Sequence, residues 1–132
     1  MRKIRNIALL IGTFCLCAAF TQQEKTVVYL FGVATSFNDT LVHFTDIQAI
    51  EEANINKHGF LEARNQYAYQ LKHYLENAMN LPERTCAIFF HKNKSKLEKD
   101  YSKLRKKYME KKSVKYETLP TSDFQFKTFK FE

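Results

Sequence analysis

Thr26 to Val33 reads Thr-Val-Val-Tyr-Leu-Phe-Gly-Val, a β-branched and aromatic run without a charge. Such a segment fits a strand, and its apolar residues fall at odd and even positions alike, so both faces need cover. The run predicts a central strand, and the rest of the chain must be arranged around it. Gly32 inside it marks a bulge or a close backbone approach.

The flanking segments supply partners. Thr40 to Ile47 (Thr-Leu-Val-His-Phe-Thr-Asp-Ile) is a second strand, joined to the first through Asn38-Asp39. Asn and Asp tolerate left-handed dihedrals and bond their own backbone, so a tight hairpin is expected, with Phe37 opposite Thr40, Val33 opposite Phe44 and Phe31 opposite Asp46. Residues 48–59 read as a helical turn around Ala49–Ala53 or as a loop punctuated by Asn54, Asn56 and Gly59. Phe60 to Met79 is expected to be a helix with the stripe Leu61, Ala68, Leu71, Leu75 and Ala78, ended by Leu81-Pro82. Thr85 to Phe90 is a short apolar strand, expected in the middle of the sheet.

The next helix has the clearest local pattern. Ser95 followed by Glu98 reads as a capping box, and Leu97, Tyr101, Leu104 and Tyr108 recur at helical spacing on one narrow face. Val114 to Thr118 reads as a strand and Leu119 to Asp123 as a turn. In the tail, Phe124 and Phe126 share one strand face whereas Phe129 and Phe131 fall on the other, unless a bulge near Thr128 brings all four together. The element order is β-β-α-β-α-β, with a possible extra C-terminal strand. It predicts an α+β fold: a small mixed sheet with both helices packed on one face. The first strand is too apolar to leave its other face bare, so that face requires further cover or a second copy of the chain.

The first twenty residues carry a separate signal. Met1-Arg2-Lys3-Ile4-Arg5 is basic, and Ile7 to Phe20 is uncharged. This is the pattern of a secretory signal peptide. The apolar run is shorter than the roughly 20 residues of a bilayer-spanning helix, so removal is expected rather than a permanent span. Cys17 and Ala19 offer small residues for cleavage before Phe20, giving a signal peptide over 1–19 and one domain over 20–132. Lipidation at Cys15 or Cys17 fits less well, because Phe or Leu precedes each where a small residue is needed. The expected destination is the periplasm or the extracellular space. After cleavage only Cys86 remains of the three cysteines, so no internal disulfide can form. Cys86 lies in an apolar run and reads as a small buried hydrophobe.

The formal charge of +7 is unevenly spread. Residues 20–91 hold five basic and eight acidic groups, whereas 92–112 hold ten basic and three acidic, nine of the ten being lysine. Base reading favours the bidentate geometry of arginine, and an exported chain does not meet nucleic acid as its ordinary ligand. The apolar stripe of the basic helix is narrow, better suited to a sheet than to a bilayer. Lys92, Lys94, Ser95, Lys96, Lys99, Lys103, Arg105, Lys106 and Lys107 are therefore candidates for contact with an anion or an acidic partner. Within this group, the loop His91 to Ser95 joins a strand end to a helix start.

Catalytic and metal motifs are thin. His43, His58, His73 and His91 include no pair at helical ligand spacing and have no cysteine pair beside them, so no metal is expected. No glycine-rich phosphate loop and no nucleophile elbow is present, and no cofactor is expected. Ser36, His43 and His91 form the enzymatic alternative, a hydrolase assembled from distant residues. The leading expectation is a small exported, non-enzymatic binding or structural subunit. It would meet a protein partner, a second copy of itself, or an anionic envelope surface such as a glycan or lipid head groups. The aromatic residues Phe124, Phe126, Phe129 and Phe131 would add contact area.

Overall fold

The computed structural model describes residues 27–130; the segment read as a signal peptide and Phe131 lie outside them. The elements are β1 (Val27–Thr35), β2 (Leu41–Thr45), β3 (Gln48–Glu51), α1 (Arg64–Asn77), β4 (Thr85–His91), α2 (Lys94–Met109) and β5 (Lys115–Leu119). They form an α+β fold with a mixed five-stranded sheet and two packed helices.

β1 is the central strand. β2 and β3 pair antiparallel along one of its edges, β4 pairs antiparallel along the other, and β5 adds parallel to β2. β4 is thus an edge strand and not the middle one, because β1 carries more apolar surface on both faces and occupies the interior. Val33 opposes Phe44, as the hairpin turn requires. Beyond that pair the register slips. From Val33 to Leu30 β1 advances three residues, while the partner advances four, from Phe44 to Gln48. The extra residue is a bulge between β2 and β3, which removes the expected facing of Phe31 and Asp46. At the bulge the Gly32 N–H donates to the Thr45 hydroxyl at 2.8 Å, replacing the lost backbone acceptor. Past the bulge the chain continues as β3, so Ala49–Glu51 is strand rather than helical turn.

The two helices pack on opposite faces, not on one. Val28, Leu30 and Ala34 of β1 share a core with Tyr67, Leu71 and Leu75 of α1. Phe31 and Val33 share the other core with Leu97 of α2, joined by Tyr101, Leu104 and Tyr108. β1 is apolar on both sides because each side meets a helix, and α2 supplies the cover that its sequence demanded.

α1 is shorter than the periodicity suggests. Ala63 takes a left-handed φ of 60° and stops helical continuation toward Phe60, while Leu61 bridges Ile55. At the other end Asn80, with φ 54°, turns the chain, and the Leu81 N–H returns to the Leu75 carbonyl at 2.8 Å. The buried stripe of α1 is Tyr67, Leu71 and Leu75, so Tyr67 belongs to it rather than flanking it, and Ala78 is exposed.

Among the described residues, the C-terminal tail through Lys130 does not form a strand. Phe124 and Phe126 are only 7 % and 6 % exposed and belong to the α1-side core, with Phe129 packed against them. The tail's backbone is held by side-chain amides. Gln48 donates to the Phe124 carbonyl at 3.0 Å and accepts from the Phe126 N–H at 2.8 Å. Gln70 makes the same two-way contact with Lys127, both bonds at 2.8 Å. Phe124 and Phe126 are therefore core residues of the chain itself, and their rings are not available as a contact surface.

Candidate docking face on the lysine-rich helix

α2 begins one turn's fraction earlier than the Ser95–Glu98 pattern implies. Its N-cap is Asn93, whose side-chain oxygen accepts from the Ser95 N–H at 2.9 Å and the Lys96 N–H at 3.4 Å. The Asn93 carbonyl takes the Leu97 N–H at 3.2 Å. The His91 ring nitrogen Nδ1 accepts the Asn93 N–H at 2.8 Å. The N–H groups of Asn93, Ser95, Lys96 and Leu97 are thus engaged within the chain, which leaves the exposed Lys92 and Lys94 as the loop's main attraction for an anion.

The body of α2 is fixed by aromatic packing. Phe31 stacks on Phe89 with ring centroids 5.1 Å apart and meets Tyr101 edge-on at 4.9 Å. Phe44 meets Tyr108 edge-on at 5.7 Å and lies 5.1 Å from Tyr116. Offset and edge-to-face rings at these separations attract beyond simple burial, so the helix is a firm base for what it carries outward. Burial and the neighbouring Tyr116 push the Tyr101 hydroxyl well above the ordinary tyrosine range, so it stays neutral.

Lys96, Lys99, Lys103, Lys106 and Lys107 fall on the side of α2 away from the Leu97–Tyr108 seam, and all are exposed. From Lys96 to Lys107 there are eleven residue steps, about 16 Å at ~1.5 Å each. Arg105 is engaged over the Tyr116 ring at 5.2 Å and Lys111 over Tyr108 at 5.2 Å. Among the described residues none of the α2 cations forms an ion pair. The pairs that do form, Arg84 with Asp39, His43 with Glu117 and Lys130 with Glu52, lie elsewhere. The row is a positive stripe interrupted on one flank by Asp100, which forms no ion pair with it among the described residues. Beside it, between α2 and the edge strand β4, lies a groove of about 350 Å³ lined by Phe89, Asp100, Lys103, Leu104 and Lys107.

The enzymatic alternative is not assembled. His91 opposes Tyr29 at one end of β1, and Ser36 follows Thr35 at the other. The six strand steps between Tyr29 and Thr35 separate them by about 20 Å at ~3.3 Å each. The Ser36 hydroxyl accepts the Asn38 N–H at 3.1 Å and serves the turn. His43 is 2 % exposed and opposes Ala34 and Glu117 within the sheet. Its Nε2 lies 3.2 Å from the Glu117 carboxylate as an ion-pair contact rather than a directed hydrogen bond, and Nδ1 has no partner among the described residues. Burial holds the His43 pKa below its ordinary value, outweighing the opposing pull of Glu117. The three side chains share no cleft. No group of three or more His, Cys, Asp or Glu among the described residues is placed to hold a metal ion.

One polar cluster has no clear sign in the sequence. Arg84 is buried and grips Asp39 with both terminal nitrogens, at 2.7 and 2.5 Å, while donating to the Leu41 carbonyl at 3.2 Å. Asp39 also accepts the Leu41 N–H at 3.0 Å. The Arg84 hydrogen bonds, and then that N–H, hold the Asp39 carboxyl below the usual carboxylate range. This brace fixes the hairpin that presents Phe37, 99 % exposed. Cys86 is unpaired, and burial pushes its thiol up to about 11, far from the range of a reactive nucleophile. No helix among the described residues is long and apolar enough to cross a membrane. Comparison with protein-family models, with curated proteins and with solved structures finds no match.

Proposed function

We propose that this protein is a small exported, non-enzymatic binding subunit that docks on an acidic surface through the lysine face of α2. The observation that carries the reading is the row from Lys96 to Lys107, exposed, mounted on an aromatic-packed helix and unpaired among the described residues. Opposite charge on a partner is what such a row attracts, and it speeds encounter more than it tightens the bound state. The basic and apolar pattern of residues 1–20 supports export.

The test is binding of the full chain to immobilised poly-glutamate across a salt series. Exposed charges are screened over about 8 Å at physiological ionic strength, so retention should fall steeply as salt rises. A Lys99→Glu/Lys103→Glu/Lys106→Glu variant should lose retention at low salt while keeping its melting temperature. Binding that ignores both salt and the triple substitution would remove the lysines from the function. Mass spectrometry of native material checks export separately: the expected chain starts near Phe20, and Met1 retained in cytosolic material would refute it.

A further inference from the structure

The groove beside the lysine row narrows the choice of partner, on the premise that the row is a docking face. We infer that it receives an apolar side chain of an acidic protein segment lying along α2. Asp100, Lys103, Leu104 and Lys107 stand at i, i+3, i+4 and i+7 on one flank of the helix, and Phe89 of β4 completes the groove with Leu104. Phe89 and Leu104 are only partly buried, although both belong to the α2-side core. The groove is a place where that core reaches the surface. Its volume of about 350 Å³ lies at the small end of the range for ligand pockets, about 300–1,000 Å³.

Charge orients the occupant. Lys103 and Lys107 attract carboxylates toward the end of the groove nearer the C-terminus of α2, while Asp100 repels them from the other end. The segment that fits has an apolar residue with acidic residues on one side of it. The lined stretch from Asp100 to Lys107 is about 10 Å long, room for three extended residues at ~3.3 Å each. A polyanionic glycan has the charge but no apolar side chain for Phe89 and Leu104. A lipid surface would meet the lysines without selecting one side of Asp100.

Addition of the segment as a new strand on β4 is disfavoured. Gly32 turns its N–H toward Thr45 and away from β4, so the opposed Ile88 turns its backbone groups outward from the sheet. Arg64 at the start of α1 occupies that outward carbonyl with two donors, at 3.0 and 2.6 Å. The middle of the β4 edge is capped, and side-chain docking in the groove is the route left open.

The experiment is fluorescence anisotropy of labelled peptides against the full chain. The probes are Gln-Gln-Leu-Glu-Glu, the same peptide with Leu changed to Ser, and the same peptide with both Glu changed to Gln. Heparin fragments and phosphatidylglycerol vesicles serve as competitors. The Leu peptide should bind about tenfold more tightly than the Ser peptide, the gain expected from burying one aliphatic side chain. The Gln-substituted peptide should bind several-fold more weakly than the parent, and Lys103→Gln/Lys107→Gln should abolish the difference between them. Equal binding of the Leu and Ser peptides, lost at high salt, overturns the groove inference and leaves the lysine face standing. Binding of heparin or vesicles with no peptide binding assigns the face to a glycan or a lipid and also overturns it. No binding of any probe overturns both readings.

Discussion

Replacing Gly32 by alanine sets a methyl group 2.6 Å from Leu71 Cδ2, 3.3 Å from Phe126 Cζ and 3.4 Å from Ile88 Cδ1. These atoms belong to α1, the tail and β4, so one carbon probes three packed elements. Leu71 is fully buried, and its methyl can withdraw only by pressing on the neighbouring core. Overpacking of this kind costs about 1–3 kcal/mol. The alanine also restricts the unfolded chain, which offsets about 0.4–1 kcal/mol of that cost. The expected net loss is about 1–2 kcal/mol, roughly 5–10 °C in melting temperature for a domain of this size. Thermal unfolding followed by circular dichroism reads it directly. A double-mutant cycle sharpens the test. Leu71→Ala alone should cost about 2–5 kcal/mol through the cavity it leaves. The alanine at 32 fills part of that cavity, so the double variant should be more stable than the sum of the singles by about 1 kcal/mol. A Gly32→Ala protein as stable as the parent, with strict additivity in the cycle, would show that α1 does not sit over this point of β1.

Other expectations follow from groups away from α2. Burial lowers the folded-state pKa of His43 below the unfolded value of about 6.5, so the unfolded chain takes up the proton first. Stability is then fully present above that value and declines as pH falls through it. Urea unfolding should show a drop between about pH 7.5 and pH 5.5 that His43→Leu reduces, and an unchanged slope in the variant would refute the assignment. Cys86, its thiol pushed up to about 11, should resist a thiol reagent at neutral pH in the native chain and react readily in urea; rapid native labelling would count against its burial. Gln48→Leu leaves the Phe124 carbonyl and the Phe126 N–H without their partner, and should cost about 1–3 kcal/mol. It should also speed hydrogen exchange at Phe126, and retained protection there would refute the role of the amide.

The sequence made some features legible because a single local rule decided them. The hairpin register follows from Asn38-Asp39 and alternation, and Val33 does oppose Phe44. The seam Leu97, Tyr101, Leu104 and Tyr108 follows from helical spacing, and all four residues pack together on the sheet. Other features turn on rival rules of equal strength. Asn93 and Ser95 are comparable cap residues, so composition could not choose between them. The bulge after Thr45 depends on a hydroxyl replacing a backbone acceptor, which leaves no periodic trace. The apolar character of β1 on both sides required two covers, yet only tertiary topology assigns one helix to each face. Phe124 and Phe126 look like part of a strand or of an adhesive surface. They became core residues because Gln48 and Gln70, polar residues without any motif, hold the backbone that a strand partner would otherwise hold. Of the candidate site, the lysines were legible as charge. The groove was not, because Phe89 and Leu104 meet only after β4 and α2 have packed.

The proposed docking face is tested most directly by titrating the isotope-labelled full chain with the acidic Leu peptide and following backbone amide shifts by NMR. The expected shifts cluster at Phe89 and from Asp100 to Lys107, fade with added salt and leave the hairpin around Phe37 unmoved. Shifts concentrated at the hairpin, or at the loop around His91, with α2 silent, would contradict the assignment of this helix as the binding surface.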